Sequence, residues 1–313
     1  MTDPTSHGSP GAVPAESALP APSPGFRAIA ARYRVLLCDV WGVVHDGVKA
    51  FPEACAALER HRAAGGVVVL ITNAPRPSGP LYATLEGYGA PRSCYDTIVS
   101  SGDVTLDLMA ERGGGAVHFI GPERDLSLFP ELAAQTGAAA PANVAVSQAD
   151  YSVLSGLRDD EVETPADYED ELQAMRARGL DAICANPDIV VHRGDRLIYC
   201  GGALAARYEA LGGRVSYAGK PYSPIYAKAQ AAARAQRARG LPQGGAVLCL
   251  GDAIHTDVAG ARKHGFDCLF VIDGIHRDRY TRPDGSIDEA ALERCFAEQG
   301  PARPTAMMRK LVW

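Results

Sequence analysis

From Arg27 onward, short apolar runs alternate with helix-like stretches, the pattern of an α/β protein with a parallel sheet. Val35-Leu36-Leu37-Cys38 ends at Asp39, and Val67-Val68-Val69-Leu70-Ile71 ends at Thr72-Asn73. Val215-Ser216-Tyr217-Ala218 ends at Gly219-Lys220, and Ala246-Val247-Leu248-Cys249-Leu250 ends at Gly251-Asp252. A fifth run, 268–272, ends at Asp273-Gly274. Helices are predicted over 52–64, 202–212, 223–239 and 256–264. The middle of the chain, 80–202, carries its own strand-like runs at 116–120, 152–154 and 182–185. Helical stretches near 80–88, 102–111 and 165–179 separate them. Because this block falls between the second and third polar strand ends, it reads as a second α/β unit inserted into the first. The expected division is a core of 27–79 plus 203–313 and an inserted unit of 80–202. Residues 1–26 hold six prolines and no Lys or Arg, and are expected to be a disordered tail rather than a secretory signal.

Composition narrows the picture. At 313 residues and 47% apolar, the chain is long enough for a sizeable core without staples. No run approaches the ~18 apolar residues of a membrane span. The net charge of −6 is unclustered, which argues against a nucleic-acid partner as well as a membrane one. Eight scattered cysteines without a CxxC point to reduced thiols, a cytoplasmic location and no zinc site.

In open parallel sheets, ligands bind beyond the carboxyl ends of the strands. Asp39, Thr72, Lys220 and Asp252 each stand at such an end. Two carboxylates brought together there suit a hard divalent cation, usually Mg²⁺. One of them can attack phosphorus to give an aspartyl-phosphate that water cleaves. A threonine hydroxyl with nearby backbone N–H groups, and a lysine ammonium, would hold the phosphoryl oxygens. Each residue also has an ordinary use. Asp39 can end a strand, Thr72-Asn73 can form a turn, and Lys220 can be a solvated lysine. Asp257 opens a helix, where an aspartate is common.

Asp39-Val-Trp-Gly-Val-Val-His-Asp-Gly47, Ile71-Thr-Asn73, Gly219-Lys-Pro221 and Gly251-Asp-Ala-Ile-His-Thr-Asp257 resemble the four motifs of haloacid dehalogenase-like (HAD) hydrolases. The details are similar to class IIA, the group of 4-nitrophenylphosphatase and pyridoxal-phosphate phosphatase. Gly260-Ala261 after the fourth motif, Ala185-Asn-Pro-Asp188 and Gly201-Gly202-Ala203 match that class too. The resemblance covers about 33–313. It implies a Rossmannoid core with a parallel sheet, an α/β cap inserted into it, and Mg²⁺-dependent hydrolysis of a small phosphorylated metabolite. By the same resemblance, Asp39 is the nucleophile, with Thr72 and Lys220 holding phosphate. The metal falls to Asp39, Asp252 and the Trp41 backbone carbonyl, with Asp257 behind them or paired to the lysine. Gly42, Trp41, Asn73 and Arg76 are expected around the substrate.

One position departs from the family. The second motif aspartate, which protonates the leaving oxygen, is Trp41 here, and an indole has no proton to give near neutral pH. His45 and Asp46, just beyond Gly42, are the candidate substitutes for that acid/base. The departure keeps two other readings open. One is a regulatory protein that binds a phosphometabolite and turns over poorly; the other is a dehalogenase or phosphonatase. The substrate and the oligomeric state are left open by the sequence.

Overall fold

A computed structural model describes residues 18–193, 196–237 and 246–313. Six strands form the larger sheet: Tyr33–Asp39 (β1), Val67–Thr72 (β2), Thr97–Ser100 (β3), Ala246–Gly251 (β10), Asp267–Val271 (β11) and Ala306–Met308 (β12). Their spatial order is β12-β11-β10-β1-β2-β3, all parallel. A smaller parallel sheet, the cap, has Val117–Ile120 (β4), Tyr151–Leu154 (β5), Asp181–Cys184 (β6) and Arg214–Tyr217 (β9), in that order. Val190–Arg193 (β7) and Arg196–Tyr199 (β8) pair as an antiparallel hairpin.

The core strands read as unbroken apolar runs because both faces of the sheet are covered. Leu36, Cys38, Val68, Leu70, Leu248 and Leu250 enter one buried cluster, and their neighbours Leu37, Val69, Ile71 and Cys249 enter the other. The helix Ser223–Arg237 covers the second face with Ile225, Tyr226, Ala229 and Ala233, at helical spacing. The cap follows the same rule. Ile120, Leu154 and Cys184 face one cluster; Phe119, Val153 and Ile183 face the other. All eight cysteines are buried and unpaired, and no described helix is long and apolar enough to cross a membrane.

Three expectations from the sequence are corrected. Residues 78–100 supply a helix, Ser78–Gly87, and β3, which pairs with β2 in the larger sheet, so the core extends well past residue 79. Conversely, β9 pairs with β6 in the cap rather than with a core strand. A four-residue apolar run has the same periodicity in either sheet, so its pairing partner is not written in it. The third correction concerns the tail. Residues 1–17, like the end of the predicted 223–239 helix, lie outside the described residues. Residues 18–26, however, are docked. Ser23 N–H donates to Met307 O at 2.7 Å beside the edge strand β12, and Leu19 N–H donates to Glu293 at 2.9 Å. Phe26 is fully buried and meets Trp313 edge-on. An open sheet edge offers unpaired backbone groups that even a proline-rich strip can use.

Candidate active site

Register aligns the carboxyl ends of the central strands. Asp39 stands opposite Ile71, Cys38 opposite Leu250, and Thr72 and Asp252 lie one step beyond. The chain leaves the core after β3 and returns after β9, and Lys220 lies on that return, before the helix Ser223–Arg237. It is almost completely buried, and its ammonium donates to Asp39 Oδ1 at 2.5 Å and to Asp257 Oδ1 at 2.8 Å. Burial disfavours this ammonium, but the two carboxylates more than offset it and hold its pKa above the ordinary lysine value.

Asp39, Asp252 and Asp257 are buried, each with an oxygen within 4.8 Å of the others. Three carboxylates against one ammonium leave negative charge uncompensated. Burial, with Asp257 nearby, pushes Asp39 up to about 7; burial, with Asp39 and Asp257, raises Asp252 too. Each has a defined seat. Asp252 Oδ2 accepts the Ile275 N–H at 2.7 Å, and Asp257 Oδ2 accepts the Ala253 N–H at 3.1 Å. Gly42, at φ +78°, is required here: a Cβ on it would come within 1.9 Å of Asp252 Oδ2. An all-oxygen, net-negative, buried donor set of this kind fits a hard divalent cation.

Asp39, Asp252 and Lys220 line a cavity of about 190 Å³ between core and cap, with Asp257 bonded to Lys220. Thr72, Asn73, Arg76 and Trp41 line it as well. Thr72 Oγ1 accepts the Ala74 N–H at 3.2 Å. The Asn73 side chain works as a brace. Its Oδ1 accepts the Lys220 N–H at 2.7 Å, while Nδ2 donates to Asp188 Oδ1 at 2.9 Å and to Lys220 O at 3.2 Å. It thereby ties the second motif to the third and to the cap.

The structure does not bring His45 and Asp46 to this cavity. The 42–47 loop folds back so that the His45 ring packs between Trp41 and Tyr88, at centroid distances of 5.2 and 4.9 Å. Its Nδ1 accepts the Gly47 N–H, and burial lowers its pKa to about 4. Asp46 accepts the Val48 and Lys49 N–H groups within its turn. The cap contributes to the lining as well. Arg124, Asp125, Ser155, Asp160 and Asp188 line the cavity, and no sequence motif points to a role for them beyond that of Asp188. Only Asp188 had a signal, the Asn-Pro-Asp segment; the others follow strand ends β4 and β5 without a motif.

A parallel core with buried carboxylates at its strand ends and an inserted α/β cap defines a capped, Rossmann-like α/β fold. Two family models agree: a haloacid dehalogenase-like hydrolase model matches residues 36–135, and a HAD-hydrolase-like model matches 217–292. A haloacid dehalogenase-like hydrolase from Brucella suis 1330 is 42% identical, with 92% of this chain and 99% of that one covered at a TM-score of 0.78. The chain therefore belongs to the haloacid dehalogenase-like family and is a hydrolase. The fold is shared with more distant structures. The p-nitrophenyl phosphatase of Archaeoglobus fulgidus is 20% identical (89% and 96% covered, TM-score 0.64). A glycerol phosphate phosphatase of Mycobacterium tuberculosis, in complex with calcium, is 24% identical (90% and 72% covered, TM-score 0.62). No curated protein matches the chain.

Proposed function

We propose that the protein is a Mg²⁺-dependent phosphatase of small phosphorylated metabolites, acting through an aspartyl-phosphate on Asp39. The observation that carries this reading is the buried group of Asp39, Asp252 and Lys220 on the cavity, with Asp257 bonded to the lysine. It combines a nucleophile, a cation seat and a phosphate-side ammonium. The p-nitrophenyl and glycerol phosphate phosphatases named above, which share the fold, support it.

Asp39 attacks phosphorus as the P–O ester bond breaks, the leaving oxygen takes its proton from solvent, and water then cleaves the acyl phosphate to release phosphate and free Asp39. Lys220 orients the Asp39 carboxylate through its short hydrogen bond and offsets charge that grows on the phosphoryl oxygens. Thr72 and the backbone beside it hold a second phosphoryl oxygen, and Asn73 keeps that loop in register with Lys220. Asp39, Asp252 and the Trp41 carbonyl would hold Mg²⁺, which when bound neutralises the carboxylates and the phosphate. Asp257 positions Lys220 and closes the Ala253 turn. Trp41, on the cavity wall, replaces the group that would protonate the leaving oxygen.

The test is hydrolysis of 4-nitrophenyl phosphate with and without Mg²⁺. Chelation should abolish turnover, and Asp252→Asn should cut it by roughly 10²-fold or more while the melting temperature holds. Turnover indifferent to both chelator and substitution would remove the carboxylate group from the reaction.

A further inference from the structure

The fifth apolar run ends at Asp273-Gly274, and the proposed chemistry gives that strand end no use. The pairing of β11 with β12 continues just past Val271: Ile272 N–H donates to Met308 O and Asp273 N–H to Arg309 O, both at 2.9 Å. Beyond Asp273 the chain leaves the sheet, and the Ile275 N–H donates to Asp252 Oδ2 at 2.7 Å. Gly274 passes so near that a Cβ on it would fall 2.1 Å from Asp252 Cβ and 2.2 Å from its Oδ2. In a contact this close, a small displacement of 273–275 moves the carboxylate with it. The side chain of Arg309, the residue after β12, anchors that loop. Its Nε and Nη2 donate to Asp273 Oδ1 at 3.1 and 3.0 Å, and its Nη1 donates to Gly285 O at 2.9 Å. One rigid, planar guanidinium thus ties the C-terminal segment to the end of β11 and to the turn 282–285.

Resting on the reading that Asp252 holds a divalent cation, we propose that Arg309 is a positioning residue for that seat: acting through Asp273, it fixes the 273–275 loop against Asp252. Arg309 does not line the cavity that holds Asp39, and its side chain is 47% exposed. An ion pair this exposed adds little to folding. Its effect is on geometry, because removing a group that orients a metal ligand typically costs roughly 10–100-fold in affinity. Arg309 acts one bond further out, so the lower end of that range applies. Charge alone predicts the opposite sign. Asp273 and Asp252 line one groove, and without the guanidinium Asp273 is uncompensated and draws a cation in more strongly. Positioning and simple electrostatics are therefore separable by the direction of the change.

The experiment has two readouts: calorimetric Mg²⁺ affinity, and deuterium exchange of the Ile275 amide in chelator. Arg207→Met serves as control, since Arg207 is 42% exposed and pairs with Glu169 in the cap. Arg309→Met should weaken Mg²⁺ binding roughly tenfold and speed Ile275 exchange several-fold, with the melting temperature nearly unmoved. Arg309→Lys, which keeps the charge and can keep one bond to Asp273, should recover part of both losses. Arg207→Met should match the wild type in both. Unchanged or tighter Mg²⁺ binding in Arg309→Met overturns the assignment, as does unchanged exchange at Ile275 or an equal loss in Arg207→Met. If Arg309→Met does not fold, Arg309→Gln decides by the same two readouts. Should the wild type bind no Mg²⁺, the cation reading fails, and exchange at Ile275 alone decides the role of Arg309. Faster exchange in Arg309→Met would then uphold its hold on the Asp252 loop, and unchanged exchange would end it.

Discussion

Lys220→Met should destabilise the protein by about 3–5 kcal/mol near neutral pH, because it leaves two buried carboxylates without their cation. Asp39 and Asp257 both accept from Nζ, at 2.5 and 2.8 Å, and both are nearly inaccessible. The sign with pH follows from the direction of the shifts. Lys220 is held protonated above its ordinary value, so its contribution is complete below a pH of about 10 and lost only above it. Without it, Asp39, which burial already raises, rises further. A raised carboxylate is most favourable below the unfolded value of about 4 and loses that advantage as pH climbs. The variant should therefore regain stability relative to wild type as pH falls from 8 toward 5, in chelator. Turnover should drop by roughly 10²–10³-fold, since under the proposed mechanism the same ammonium offsets charge on the phosphoryl oxygens. Urea unfolding at pH 5 and 8 checks the first part. Equal unfolding of variant and wild type at pH 8 would contradict the geometry of the charge group.

The second large effect turns on Trp41. Leaving-group protonation is worth roughly 10²–10⁴-fold, and no titratable side chain stands at position 41 to supply it. Neither His45, locked under the indole with its pKa near 4, nor Asp46, tied into its own turn, lines the cavity. Rates should therefore depend steeply on the leaving group, with nitrophenyl and acyl phosphates far ahead of alkyl esters. Water attack on the Asp39 phosphoenzyme should be slow as well, giving a burst followed by a lower steady state. Trp41→Asp should raise turnover of alkyl phosphates by roughly 10-fold or more, less whatever the lost indole packing costs. If the wild type cleaves alkyl phosphates as fast as aryl ones, and Asp188→Asn or Asp125→Asn abolishes this, the acid has moved to the cap. The leaving-group argument then falls.

Much of the cavity floor could be read from the sequence. Asp39, Thr72 and Asp252 each end a buried apolar run, and parallel register places such ends side by side. The Lys220 motif was visible, but its strand belongs to the cap sheet, because four alternating residues do not name their neighbour. The Asn73 type and position were clear, yet its bracing of Lys220 and Asp188 depends on contacts 147 and 115 residues away. Asp125 and Ser155 carried no signal. They follow cap strands with no periodicity or motif, and only the closing of cap over core brings them to the cavity. Phe26 was hidden differently: a lone aromatic among prolines gives no pattern, and its burial rests on the edge of β12 and on Trp313.

The most direct measurement of the central claim is an acid quench within the first turnover on 4-nitrophenyl phosphate with Mg²⁺, followed by mass analysis of the peptide containing Asp39. The account predicts a phosphoryl group on Asp39 that accumulates during the burst and is absent in Asp39→Asn. Steady release of phosphate with Asp39 unmodified, or turnover that survives Asp39→Asn, would contradict it.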